Sequence, residues 1–222
     1  MSYDRFIAVM PGLLMPLIVI MNLMRGEETG IYFVDSTKMP VCHNKRTKSH
    51  KVFDGLANMG MSSYGWFMGF KLHLVINHKG EIMAVKITKA SIDDRAPLKE
   101  GWLGYLKGKL FGDKGYIGLE VFRKLYKGGL KIVTGFKKNM KNILMDLTDK
   151  ITLGKRSIIE TVFDIFKNKM NILHTRHRSP MNFLVNTISC LVAYCLREKK
   201  PRISEEDDIK EMIESKILIG MN

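Results

Sequence analysis

The apolar positions fall into short runs separated by polar punctuation, and the period changes along the chain. Residues 6–24 are almost all apolar, with Arg5 before and Arg25 after. Length and hydropathy alone make that run a candidate membrane span. Pro11, Gly12 and Pro16 interrupt it, Asn22 lies near its end, and no small-residue cleavage site follows to mark a signal peptide. It reads as buried helical structure broken at its prolines, with a membrane span as the competing reading.

The next runs have strand character. Ile31-Tyr32-Phe33-Val34 is a short apolar strand ending at Asp35, and the polar, basic residues 36–63 read as a long excursion. Residues 68–76 alternate, with Phe70, Leu72 and Leu74 on one face; Asn77-His78-Lys79-Gly80 is a turn, and residues 81–88 return as the second arm of a hairpin. Ser91-Ile92-Asp93-Asp94-Arg95 opens a helix predicted over residues 96–106. Lys109-Leu110-Phe111-Gly112 is a buried strand ending at Asp113, a helix over 118–126 stops at Gly128-Gly129, and residues 130–134 form another strand. Residues 157–173 have helical period. Ser179-Pro180 supplies an N-cap and a first-turn proline for a last helix to about residue 196.

Strands joined by short turns early, then strands alternating with helices, predict an α/β fold: a mixed five-stranded sheet flanked by helices, in the ribonuclease H-like arrangement. The expected organisation is an apolar helical segment over residues 1–30, the sheet domain over 31–200, and an acidic tail over 201–222.

Charge narrows the partner. Lys and Arg number 36 against 22 Asp and Glu, a net +14 with pI near 9.7, which points to a polyanion. Nucleic acid is the usual one; an anionic membrane surface competes. The cysteines Cys42, Cys190 and Cys195 form no paired framework, which fits a reducing cytoplasm. Cys190 and Cys195 read as buried apolar residues. Cys42-His43 has no partner pair at zinc spacing.

Asp35 and Asp113 each follow an apolar strand, and ligand sites in such sheets gather at the carboxyl ends of strands. Each taken alone is better explained as a turn cap. Glu160 shares a polar helical stripe with Arg156, Asp164 and Lys167, opposite Ile158, Ile159, Val162, Ile165, Phe166 and Met170. An Arg156–Glu160 ion pair one turn apart is the simpler account of that stripe. Asp93-Asp94 reads as a helix N-cap, Asp54 has no strand context, and His73 sits in a strand without a reason to be a ligand. Basic clusters at Lys137, Lys138 and Lys141, at His174, Arg176, His177 and Arg178, and at Lys45, Arg46, Lys48 and Lys51 near Tyr64 and Trp66 suit phosphate backbones better together than singly.

The segments VDSTKMPVCHNKR, GWFMGFKLHLVINHKGEI, KLFGDKGYIG, KKNMKN, KRSIIETVFDIFKN and HTRHRSPMNFLVN together resemble the transposases of bacterial insertion sequences with a DDE catalytic domain. The resemblance runs over residues 2–201; the GDKGY block and the Arg-x3-Glu-x6-Lys block are its specific parts. It implies Asp35, Asp113 and Glu160 as the three catalytic, metal-binding carboxylates. Arg156 and Lys167 become contacts to DNA phosphates or the donor end, beside the clustered Lys137, Lys138, Lys141, Arg176 and Arg178 that charge alone already makes DNA contacts. The cofactor is two Mg²⁺ or Mn²⁺ ions per site, which three hard oxygen ligands suit. The partners are double-stranded DNA, both element ends and target, and a homodimer or higher synaptic complex. The setting is cytoplasmic and nucleoid-associated, with no membrane. Family members carry a Tyr three residues before the Arg; Leu153 stands there in this chain. Fewer residues precede the first strand than is usual, so weak or absent end-specific binding is expected. A DNA-binding remnant without turnover and a nuclease without strand transfer stay open beside the transposase.

Overall fold

The computed structural model describes residues 2–63, 65–136, 145–173 and 177–203. Six strands form one mixed sheet: β1 (Ile31–Pro40), β2 (Asn58–Ser62), β3 (Gly65–Asn77), β4 (Ile82–Lys89), β5 (Gly108–Gly112) and β6 (Leu130–Thr134). The order is β2-β3-β1-β5-β6, with β4 also paired to β3. β3 runs antiparallel to β1, β2 and β4, while β5 is parallel to β1 and β6. β2 covers Gly65 to Gly69 of β3 and β4 covers Phe70 to Ile76, so the two share one edge and the sheet stays five strands wide. This is the expected ribonuclease H-like arrangement. The sixth strand comes from the excursion over residues 36–63, where β1 also continues to Pro40 because β3 pairs with it over its whole length.

Helices cover both faces. Phe33, Leu72, Leu74 and Ile76 face α6 (Ser157–Asp164) and α7 (Pro180–Cys195) in the larger core, together with the buried Ile159, Val162 and Leu191. Tyr32, Val34, Val75 and Leu110 face α4 (Leu119–Lys127) in a second core. The alternation along β1 and β3 is what separates these sets, since successive side chains point to opposite faces. Ser179 caps α7 as expected, accepting from the Met181 N–H. Cys42, Cys190 and Cys195 are buried free thiols.

Three expectations are corrected. The helix predicted over 96–106 shrinks to α3 (Ala96–Lys99), because Gly101 adopts φ +80°, which a helix cannot continue. The helix predicted over 157–173 is α-helical to Asp164 and then a π-helical turn at Ile165–Lys169, preceded by an unpredicted α5 (Leu147–Gly154). The N-terminal run is helical as α1 (Tyr3–Val9) and α2 (Leu14–Leu23), joined through a 3₁₀ turn at Met10–Leu13 that contains Pro11. It is not buried: α2 lies on α7, no residue of either helix is fully buried, and Tyr3, Phe6, Met15 and Leu23 are exposed. Tyr3–Leu23 is also long and apolar enough to cross a membrane.

Candidate active site

The parallel pairing of β1 with β5 ends at Phe33↔Phe111. Asp35 and Asp113 each lie two residues past that pair. Parallel neighbours stand about 4.8 Å apart, and equal offsets from a paired position return to the same face. Register therefore sets the two aspartates side by side where β5 ends and β1 runs on. Asp35 is thus within a strand rather than after one, beside an edge its neighbour has vacated. The Ser36 N–H donates to Asp35 Oδ1 at 2.8 Å. Asp113 caps the turn Lys114–Tyr116 through a 2.7 Å bond from the Gly115 N–H, as the simpler reading expected. Its exposed carboxylate still lines the cleft.

Glu160 reaches the same place from α6, which buries Ile158, Ile159, Val162 and Phe163 and packs on β1. Arg156 Nη2 donates to Glu160 Oε1 at 2.9 Å, and Arg156 Nη1 lies 3.6 Å from Asp35 Oδ2. The ion pair expected within the helix is present, and it extends to a carboxylate on the sheet. Asp35, Asp113 and Glu160 line one cleft of about 650 Å³, with Lys38, Lys71, Phe163 and Lys167. Burial raises Asp35 to about 6, Asp113 and Glu160 adding to the rise and the Ser36 N–H and Arg156 opposing it. Burial and the neighbouring Lys38 lower Lys167, against the pull of Asp35 and Asp164.

Two polar residues, one lining this cleft and one buried beside it, were not among the sequence candidates. Neither aspartate of the Asp93-Asp94 pair is the N-cap of α3, which is Arg95; Asp93 folds back on Arg95 and Asp94 turns inward. Asp94 Oδ1 accepts from Ser36 Oγ at 3.0 Å, lies 3.1 Å from Lys71 Nζ, and lines the cleft. Adjacent residues in a tight turn point apart, so the pair could not be read as a unit. Tyr116, from the GDKGY block, is buried with its hydroxyl lacking a hydrogen-bond partner. Burial raises it well above the usual phenol range, Asp35 and Asp94 add to the rise, and the Ser36 hydroxyl eases it. Gly112 makes room for the ring: a Cβ there would stand 3.2 Å from Tyr116 Cδ2 and 3.0 Å from Val34 Cγ1.

The remaining candidates separate. Arg178 lines a different cavity, with Tyr3, Asp4, Ile7 and His177. Lys137, Lys138, Lys141 and Arg176 lie outside the described residues. His73 is buried and bonded to Thr88 Oγ1 at 2.8 Å. Leu153 packs against the larger core.

The donor set of the cleft suits a hard divalent cation, being carboxylate oxygen throughout. Among the described residues no three His, Cys, Asp or Glu side chains converge as a metal-holding group as they stand. Arg156 occupies the space between Asp35 and Glu160 instead. The residues fit such an ion chemically, and closing them round one requires Arg156 to move.

Comparison with curated proteins finds no match. A family model described as "Transposase DDE domain" matches residues 25–180, a span that contains β1 through α6, the acidic cleft and Arg156. The chain belongs to the transposase DDE domain family.

Proposed function

We propose that this transposase domain cleaves DNA strands and transfers the cut ends, with Asp35, Asp113 and Glu160 as its catalytic carboxylates. The observation that carries the reading is that Asp35 and Asp113, each two residues past the paired Phe33 and Phe111, line one cleft with Glu160. Like charges so placed favour a cation between them. Mg²⁺ or Mn²⁺, two ions held by Asp35, Asp113 and Glu160, would supply charge neutralisation at the attacking and leaving oxygens. The chain's own residues do the rest by position and charge. Arg156, Lys167 and Lys71 meet phosphate oxygens on the cleft wall. Water first attacks a phosphodiester at the element end and breaks its bond to the 3′-oxygen, freeing a 3′-hydroxyl; that hydroxyl then attacks a target phosphodiester and displaces the target's 3′-oxygen, so no covalent enzyme intermediate is needed.

The same reading makes residues 31–200 the catalytic unit, with residues 1–30 a helical segment outside it. Element ends and target duplex are the substrates, bound in a dimer or larger synaptic assembly in the cytoplasm. The test is nicking of supercoiled plasmid with Mg²⁺ or Mn²⁺, parent against Asp113→Asn. The variant is expected to lose at least a hundredfold in rate, and equal nicking by both sinks the assignment. Joining of a pre-cut 3′ end to target separates a transposase from a nuclease.

A further inference from the structure

β2 and β3 continue past the rest of the sheet as a two-stranded ribbon. The last backbone contact from the β1 side is Val41 N–H to the Met68 carbonyl. Beyond it, Met61 and Trp66 face each other across the ribbon. Directly opposite residues in an antiparallel pair share a face, with Cβ atoms about 5 Å apart. Both side chains are bare: Trp66 is 59% exposed and Met61 65%. A tryptophan that open needs an explanation, because it is usually the most costly side chain to leave in water.

Three observations identify its occupant. Counting by twos along β3 from Leu74, the partner of Asp35, reaches Trp66, so the pair lies on the sheet face that carries Asp35. Met61 also borders the acidic cleft. The ribbon is braced by Asn44 Nδ2 donating to the Trp66 carbonyl, and Asn44 begins a 3₁₀ helix bearing exposed Lys45, Arg46 and Lys48. An apolar platform beside a cationic turn matches a ligand with flat apolar faces on a polyanionic backbone.

We propose that Trp66 and Met61 form a stacking platform for a nucleobase of the DNA strand that leads into the cleft, with Lys45, Arg46 and Lys48 on its phosphates. The proposal rests on the reading of the cleft as a DNA site. Eight residues of β3 separate Trp66 from the level of Asp35, at most about 26 Å at 3.3 Å per residue. That is about eight steps of B-form strand at 3.4 Å, so the platform engages flanking DNA rather than the reacting phosphate.

The chain has two tryptophans, Trp66 and Trp102, so Trp102→Phe leaves Trp66 as the sole reporter. That protein is titrated at low salt with a single-stranded 20-mer and with an abasic phosphodiester of the same length, binding being followed by anisotropy. The base-bearing strand is expected to quench Trp66 emission by at least half at saturation, and the abasic strand by less than a tenth while still binding. Trp66→Ala should weaken the base-bearing complex about 5- to 150-fold, and Trp66→Phe much less. Equal quenching by both strands, or none from a bound strand, overturns the platform. So does emission that shifts with protein concentration and ignores DNA, which would mean that a second copy covers the pair. Loss of metal-dependent nicking with quenching intact would instead count against the cleft assignment alone.

Discussion

Arg156 Nη1 lies 3.6 Å from Asp35 Oδ2, joining the helix that carries Glu160 to the strand that carries Asp35. The same guanidinium holds Glu160. It therefore stands in for a cation between two carboxylates, and in the proposed site a metal ion would compete with it for that place. Once displaced, the guanidinium would be available to a DNA phosphate.

Removal of that competitor should tighten metal binding. For Arg156→Ala, the Mn²⁺ affinity read by calorimetric titration is expected to rise about tenfold, the effect of roughly 1.4 kcal/mol of relieved charge competition. DNA affinity should fall in the same variant, with the salt slope reduced by about one. An unchanged Mn²⁺ affinity would show that Arg156 does not guard the site.

His73 gives a pH signature. Burial pushes it down to about 4 from an ordinary 6.5, with Lys71 and Lys86 acting in the same direction and Asp94 against. The folded state thus prefers the neutral ring. The associated stability is present above pH 6.5 and is lost as pH falls through 4, on the order of 3 kcal/mol in all. Asp35 works oppositely: its raised value means stability is lost as pH rises from 3.8 through about 6. The histidine contribution is therefore read as the difference between parent and His73→Gln in urea unfolding at pH 7.5 and pH 4.5. A variant that tracks the parent at both values contradicts it.

Much of this architecture was legible in the residues. Alternation at Phe70, Leu72 and Leu74 and the Asn77–Gly80 turn located the hairpin, and the apolar runs ending at Asp35 and Asp113 located the two parallel strands. What escaped was set by long-range pairing. β2 contains Gly60 and polar ends, so its strand character comes from lying along β3 rather than from its own pattern. Hydrophobicity of residues 6–24 suggested burial, yet one face lacks a covering element among the described residues, and composition does not say which elements meet. The site was legible as three carboxylates but not as a network. Asp94 depended on how one turn oriented its second aspartate, and Tyr116 depended on where its ring went.

Asp149 tests how α5 is anchored. It is buried on α5 between Lys109 of β5 at 2.5 Å and Lys131 of β6 at 3.4 Å. Both lysines are partly exposed and can rehydrate, so the cost of removing the acid is smaller than for a fully buried pair. Asp149→Asn is expected to lose about 2 kcal/mol in denaturant unfolding. Lys131→Met should lose under about 1 kcal/mol, since the closer lysine remains. The reverse ranking would mean that the carboxylate is not the centre of the anchor.

Tyr116 separates stability from activity. A buried hydroxyl without a partner costs roughly 1–3 kcal/mol, and its neighbours here are Ser36 and the cleft carboxylates. Tyr116→Phe keeps the ring against Gly112 and Val34 while deleting that hydroxyl. The variant is therefore expected to unfold about 1 kcal/mol later than the parent. A polar group retained at such a cost beside Asp35 suits a hydrogen bond made only when the cleft is filled, a role for which Leu153 offers no hydroxyl. Metal-dependent nicking is accordingly expected to fall at least fivefold in the same variant, with the folded fraction undiminished. If nicking and stability both rise, the hydroxyl has no part in the chemistry; if stability falls, the hydroxyl is bonded after all, and Ser36 is the partner to test next by Ser36→Ala.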